Sequence, residues 1–236
     1  LTLQPLISAL AAGNTAVLKP SEQAPSVSAL ISRLIPTHFD NNVVTVVEGD
    51  GAVAAELVAM PFDHIFFTGG GNIGRKVLAG AAAHLTPVTL ELGGKSPAIV
   101  LPGADLKVSA RRLIWGKGFN AGQACIAPDH VIVHRQQREP LLAAMAEARL
   151  GMYGDKPLES GQLAQIINER QFNRLAELLA QAQRDGRVLL GGEINPEERR
   201  IAPTVIAVSN REDPLMADEL FGPLLPFLAL NSLGDT

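Results

Sequence analysis

The sequence predicts an α/β protein with open parallel sheets spread over two domains. Short β-branched or apolar runs alternate with longer stretches of helical period, the order produced by β-α-β units. Several of these runs lack polar alternation, among them V-V-T-V-V at 43–47 and I-F-F at 65–67. Strands covered by helices on both faces have that character. A Gly-Gly pair, Gly93 and Gly94, follows the fourth run and makes a plausible hinge. The expected domains are therefore 1–93 and 94–236.

In chain order, the opening L-T-L-Q-P-L-I-S-A-L is already amphipathic. The expected strands are Thr15–Lys19, Val43–Glu48, His64–Thr68, Val88–Leu92, Ala98–Leu101 and His130–His134. Helical periodicity fills the intervals at Ala24–Ile35, Ala52–Ala59, Ile73–Ala83 and Lys107–Phe119. It returns at Glu139–Leu150 and Glu169–Asp185. A strand-like run precedes the final N-S-L-G-D-T. No repeat or low-complexity tract interrupts the order.

Composition narrows the function classes. A hydrophobic content of 47% with 19% charged residues describes a globular protein. A formal charge of −4 gives no support to nucleic-acid or anionic-membrane partners, which call for a basic face. No apolar run reaches the roughly 18–20 residues that span a bilayer. The single cysteine excludes an intramolecular disulfide framework and fits a reducing, cytoplasmic compartment. The five histidines show no zinc-ligand spacing. With no initiator Met and no charged leader, the chain reads as the interior of a longer protein.

Four stretches carry chemistry. In F-F-T-G-G-G-N-I-G-R (66–75) an apolar strand runs into a Gly-rich turn and then a helix. Backbone N–H groups at a helix N-terminus, unobstructed by Cβ atoms, favour phosphate. The spacing from Gly69 to Gly74 is not that of the common dinucleotide fingerprint, and a tight strand–helix turn explains it equally. In G-N-T-A-V-L-K-P-S-E (13–22), Lys19 and Glu22 fall just past a strand end, where ligands of open α/β sheets collect. Ser21 is a reasonable N-cap for the helix that follows. Without context the pair is a surface lysine and a first-turn glutamate. Glu91 ends the apolar run V-T-L-E, and a buried carboxylate is costly without a partner or a task. Cys125, in F-N-A-G-Q-A-C-I-A-P-D, is the only thiol. A lone cysteine is ordinarily a small hydrophobe, but Asn120 and Gln123 make this segment polar and Gly122 keeps the approach open. A thiol nucleophile with a carboxylate base suffices to form a thioester and hydrolyse it.

These segments resemble the signatures of the aldehyde dehydrogenase superfamily. H-L-T-P-V-T-L-E-L-G-G-K-S-P (84–97) with G-Q-A-C-I-A-P-D (122–129) is most similar to the class 3 branch, which includes fatty and coniferyl aldehyde dehydrogenases. The resemblance covers essentially the whole chain and implies Rossmann-like sheets, with missing pieces at both ends. It implies that Cys125 is the nucleophile and Glu91 the base that activates water for deacylation. It makes Gly69, Gly70 and Gly74 part of an atypical NAD loop, with Gly70 and Gly71 standing where relatives usually carry Ser, Asn or Thr. In L-K-P-S-E it assigns Lys19 and Glu22 to the adenosine ribose. Glu22 favours NAD by repelling a 2′-phosphate, although class 3 relatives can also use NADP. D-E-L-F-G-P (218–223) resembles the segment beside the nicotinamide ribose. There Glu219 binds the ribose hydroxyls and Phe221 braces the nicotinamide; without the resemblance it is a plain loop. The implied substrate is a small-molecule aldehyde, and the implied assembly a homodimer at full length. Two alternatives stand beside this reading: a coenzyme A-acylating dehydrogenase, which does not need a base for water, and an inactive nucleotide-binding fragment.

Overall fold

The computed structural model describes residues 2–232. Leu1 and residues 233–236, which fall at the ends of the two expected domains, lie outside the described residues. The chain divides into two compact units, Leu1–Gly93 and Gly94–Thr236.

In the first unit, α1 (Gln4–Ala11) opens with a proline in its first turn, where the missing N–H is harmless. β1 (Ala16–Leu18) leads into α2 (Pro25–His38) and on to β2 (Val44–Val46), which lies parallel to β1 with Ala16 opposite Val44. Leu6, Leu18, Ile31, Ile35 and Val44 form the core of this part. α3 (Gly51–Val58) is capped by Asp50, whose carboxylate accepts the Ala52 N–H at 2.9 Å. A second parallel pair consists of β3 (Ile65–Thr68) and β4 (Val88–Glu91), joined through α4 (Gly71–Ala81). Along both strands half-buried residues alternate with exposed ones, and Phe66 is 44% exposed. The unbroken apolar runs suggest cover on both faces; here the pleat turns every second residue to solvent.

The second unit holds a five-stranded sheet with helices on both faces. Its elements are β5 (Pro97–Val100), α5 (Leu106–Gly118), β6 (His130–His134), α6 (Arg138–Tyr153), α7 (Glu169–Arg184) and β7 (Val188–Leu190). They continue with β8 (Ile194–Asn195), β9 (Arg200–Ile201), β10 (Thr204–Val208), α8 (Pro214–Ala217) and β11 (Leu224–Leu230). The sheet order is β5-β6-β11-β10-β7, parallel throughout except for β7, which is antiparallel to β10. β8 and β9 form a separate antiparallel pair. Val131, Val133, Leu225 and Phe227 pack with Leu113, Ile114, Leu141 and Met145 of α5 and α6. On the other side Ile206, Leu224 and Leu228 pack with Phe172, Leu175 and Leu179 of α7. The period-2 alternation of β10 and β11 feeds both cores. Each such side chain contributes roughly 1.5–3 kcal/mol when fully buried, so α5, which leads into the thiol segment, is firmly seated. Pro226 lies in this central strand, but pairing with β6 begins only at Phe227.

Candidate active site

Three first-unit segments named by the sequence meet the C-terminal ends of parallel strands. Just past β1, the Lys19 ammonium donates to the Glu22 carboxylate and to the Pro20 carbonyl, both at 3.0 Å. The Lys19 hydrogen bond holds the Glu22 carboxyl below its ordinary range, with a backbone hydrogen bond helping. Ser21 does not cap α2: that helix starts at Pro25 after an Ala24 N-cap, and the Ser21 hydroxyl accepts the Gln23 N–H at 3.2 Å instead. Proline at the first helical position already removes one orphan donor, so no side-chain cap is needed there.

Between β3 and α4 the turn contains only Gly69 and Gly70. The Gly69 N–H donates to the Glu91 carbonyl at 3.0 Å, so the glycine turn and the end of β4 are one structural unit. Gly74 is buried, and a Cβ there would stand 3.1 Å from Leu92 Cδ2. Its lack of a side chain lets α4 lie on the strand. Gly70 is different: its Cβ position is open space, and as N-cap it supplies no side-chain acceptor to α4. Glu91 itself is exposed. The buried setting expected for it is absent, because the outward-facing half of β4 ends on this residue.

In the second unit, Cys125 lies on an exposed turn seven residues after α5 ends. Asn120, Ala121 and Gly122 take left-handed backbone angles in succession, with φ of 49°, 54° and 69°. For Asn and Gly this is accessible; for Ala121, fully buried, it costs about 1–2 kcal/mol. The Gln123 side chain pins the strained turn, donating to the Asn120 and Gln165 carbonyls at 3.0 Å and accepting the Ile167 N–H at 2.8 Å. The Ser96 hydroxyl donates to the Cys125 carbonyl at 3.3 Å. Gly122 also has a packing reason of its own. A Cβ on it would stand 2.4 Å from the Gly222 carbonyl oxygen, so its task is close backbone packing.

That packing joins the thiol turn to the 218–223 loop. Phe221 is partly exposed at φ 45°. Its strained conformation is held from both sides of Leu220: the Leu220 N–H donates to Asp129 at 2.8 Å, and the Arg174 guanidinium donates to the Leu220 carbonyl. Glu219 is half-buried, and burial holds its carboxyl above the ordinary range. Nearby Asp129 pushes the same way; a Gly94 backbone hydrogen bond, Lys117 and Lys95 oppose it. Among the described residues no group of three His, Cys, Asp or Glu could hold a metal ion, and no helix is long and apolar enough to cross a membrane.

Residues 1–236 match the model of the aldehyde dehydrogenase family. The chain belongs to that family. It is 44% identical over 237 aligned residues to aldehyde dehydrogenase family 3 member H1 of Arabidopsis thaliana, an alignment covering 100% of this chain and 49% of the relative. The substrate-bound state of Staphylococcus aureus AldH superposes with a TM-score of 0.94 at 41% identity, over 99% of this chain and 51% of that one. A mutant of Pseudomonas syringae aldehyde dehydrogenase C, complexed with NAD+ and octanal, gives a TM-score of 0.85 at 33% identity. That match covers 96% of this chain and 48% of the other. The chain thus spans about half the length of the curated relatives it matches.

Within this family member, sequence reasoning names Cys125, Glu219 and Phe221 but misses the residues that hold them. Asp129 and Lys95 form an ion pair, and the Lys95 ammonium also donates to the Leu215 and Asp218 carbonyls at 3.0 and 3.1 Å. Lys95 lies in L-G-G-K-S-P and Asp129 closes G-Q-A-C-I-A-P-D, so both sit inside recognised motifs. Lys117 is 1% exposed. A signal for it exists: Ala110, Leu113, Ile114 and Lys117 share one helical face, and the first three are core.

Proposed function

We propose that the chain is part of a nicotinamide-dependent aldehyde dehydrogenase that makes a free carboxylic acid. The observation that carries this reading is the construction around Cys125. The only thiol is exposed on a strained, pinned turn, in backbone contact with the loop that presents Glu219 and Phe221. Strain of this kind persists where surrounding structure over-determines it, characteristically at active sites.

The residues present fit NAD. The open Gly70 and Gly71 positions leave the first N–H groups of α4 accessible to a pyrophosphate. Lys19 and Glu22 would offer a donor and an acceptor to one ribose, Glu219 would accept from the hydroxyls of the other, and Phe221 would brace the nicotinamide. When bound, NAD supplies the hydride acceptor. Cys125 Sγ would bond to the aldehyde carbon as its proton passes to the carbonyl oxygen, giving a thiohemiacetal, and loss of a hydride from that carbon together with the hydroxyl proton would leave a thioester. Glu91 takes a proton from water, whose oxygen bonds to the acyl carbon as the C–S bond breaks. Water as acceptor, favoured here over coenzyme A by the presence of Glu91, releases the acid and restores the thiol. Further proposals that go with this reading are NAD in preference to NADP, a homodimeric full-length protein and a cytoplasmic setting that keeps Cys125 reduced.

The experiment is rapid mixing of aldehyde and NAD with the full-length protein. Cys125→Ala should abolish oxidation while NAD binding persists; residual turnover would remove the thiol from the reaction. Glu91→Gln should keep the burst of NADH and lose steady turnover by on the order of 10²–10⁴-fold, with acyl-enzyme visible by mass spectrometry. Loss of the burst would move Glu91 to an earlier step.

A further inference from the structure

Lys95 and Ser96 stand at the entrance to β5 and bond in two directions. Ser96 faces the thiol segment. Its carbonyl accepts the Asp129 N–H at 2.8 Å, and its hydroxyl donates to the Cys125 carbonyl at 3.3 Å. Lys95 faces the loop that carries Glu219 and Phe221. Its ammonium donates to the Leu215 and Asp218 carbonyls at 3.0 and 3.1 Å and forms an ion pair with the Asp129 carboxylate. An ammonium has three N–H donors, and three oxygens receive them.

The loop needs such ties. α8 has four residues, too few to satisfy its own carbonyls, and Phe221 holds an unfavourable left-handed conformation five residues after Met216. Asp129, 3% exposed, receives Lys95 on one carboxylate oxygen and the Leu220 N–H on the other, the latter at 2.8 Å. The backbone is thus held on either side of Glu219: at Asp218 through Lys95 and at Leu220 through Asp129. Two arginines fix points further out. Arg174 donates to the Leu220 carbonyl at 2.5 Å, and Arg187 pairs at 2.6 Å with Asp213, the cap of α8. Strained loops persist where several such contacts over-determine them. Because Ser96 is bonded to the thiol segment, Lys95 places the loop relative to Cys125 itself.

We propose that Lys95 is a positioning residue for hydride transfer: through the Leu215 and Asp218 carbonyls it sets Glu219 and Phe221 at a fixed place relative to the Cys125 turn. This rests on the reading that Glu219 and Phe221 support the nicotinamide end of NAD. Arginine does not replace it, because the three oxygens converge on one nitrogen and a planar guanidinium spreads its donors.

The test is a single turnover of aldehyde and NAD by the full-length protein, read as the first-order rate constant of NADH formation. Unfolded protein lowers the amplitude of that phase and leaves its rate constant alone. In Lys95→Met and Lys95→Arg the constant should fall by on the order of 10–10²-fold, the effect of a reactant misplaced by about 1 Å. Alkylation of Cys125 by iodoacetamide without cofactor should keep the wild-type rate. Lys95→Met also leaves the Asp129 carboxylate buried without its cation, which lowers stability by itself. Lys95→Met/Asp129→Asn removes that charge, and the new amide oxygen can still accept the Leu220 N–H. The double variant should therefore melt closer to wild type than Lys95→Met while its rate constant stays low. A wild-type rate constant in the double variant or in Lys95→Arg overturns the proposal. Alkylation slowed as much as hydride transfer overturns it too, by putting Lys95 under the thiol instead of the loop. Hydrogen exchange of the cofactor-free protein separates this result from the functional reading. The amides of 216–221 should exchange faster in the double variant and those of β10 should not; unchanged exchange overturns the proposal. Should exchange quicken while wild type reduces no NAD, the tether on the loop stands and the nicotinamide assignment fails.

Discussion

Gly122→Ala should cost the second unit more than Gly222→Ala, though each glycine sits in the same backbone contact. At Gly122 a Cβ would lie 2.4 Å from the Gly222 oxygen, 2.8 Å from its carbonyl carbon and 3.1 Å from the Lys117 oxygen. All three are backbone atoms and cannot rotate away. Residue 122 also has φ 69°, worth about 1–2 kcal/mol for any residue with a Cβ. Adding overpacking of about 1–3 kcal/mol gives a loss of roughly 2–5 kcal/mol. At Gly222 a Cβ would meet Leu175 Cδ1 at 2.4 Å and Cδ2 at 2.8 Å. These are the ends of a side chain that can change rotamer, at about 0.5–1.5 kcal/mol. The assay is guanidinium unfolding followed by fluorescence of Trp115, the single tryptophan, which lies in this unit. A Gly222→Ala/Leu175→Ala double variant should show favourable coupling, because truncating Leu175 removes the clash. Equal losses for the two alanine variants would refute the backbone contact as the reason for Gly122.

Two further outcomes are expected. Glu22→Gln should improve the use of NADP relative to NAD by about 1–2 kcal/mol for a partly solvated charge, read as the ratio of kcat/KM values; an unchanged ratio puts Glu22 outside the ribose site. Between pH 8 and 10.5 the unfolded chain keeps the Lys117 proton that the folded chain has released, so the stability of the second unit should rise across that window. The gain is on the order of 3 kcal/mol and should vanish in Lys117→Met, measured as the difference between the two unfolding curves.

Much of the fold is legible because parallel strands announce themselves by composition. His130–His134 is read with its own bounds, since H-V-I-V-H has no competing helical period. The helix over Glu169–Arg184 is equally plain, with Asn168 capping it. The expected strands nevertheless stop at His134 apart from the final apolar run. T-V-I-A-V at 204–208 carries a β-branched signal that pattern alone supports. Strands of two or three residues such as Ile194–Asn195 and Val188–Leu190 carry none, because their pairing is set by the chain they return to. The site divides the same way. Cys125, Glu91 and the glycines are legible as types in a pattern. The exposure of Glu91, the reason for Gly122 and the pairing of Lys95 with Asp129 are not, because each depends on neighbours distant in sequence. Glu91 is the instructive case: an apolar run predicts burial of a strand, but the pleat decides which of its residues is buried.

The contact between Gly122 and Gly222 also bears on when the reactive turn comes into being. Its two halves are about a hundred residues apart in the sequence, and the left-handed run at Asn120–Gly122 is unfavourable until the far half arrives. Closing so long a loop costs entropy before any contact rewards it. The turn therefore belongs to the late side of the folding barrier. Until the 218–223 loop docks, the turn has its Gln123 ties to residues 165 and 167 but lacks the backbone wall that Gly222 supplies.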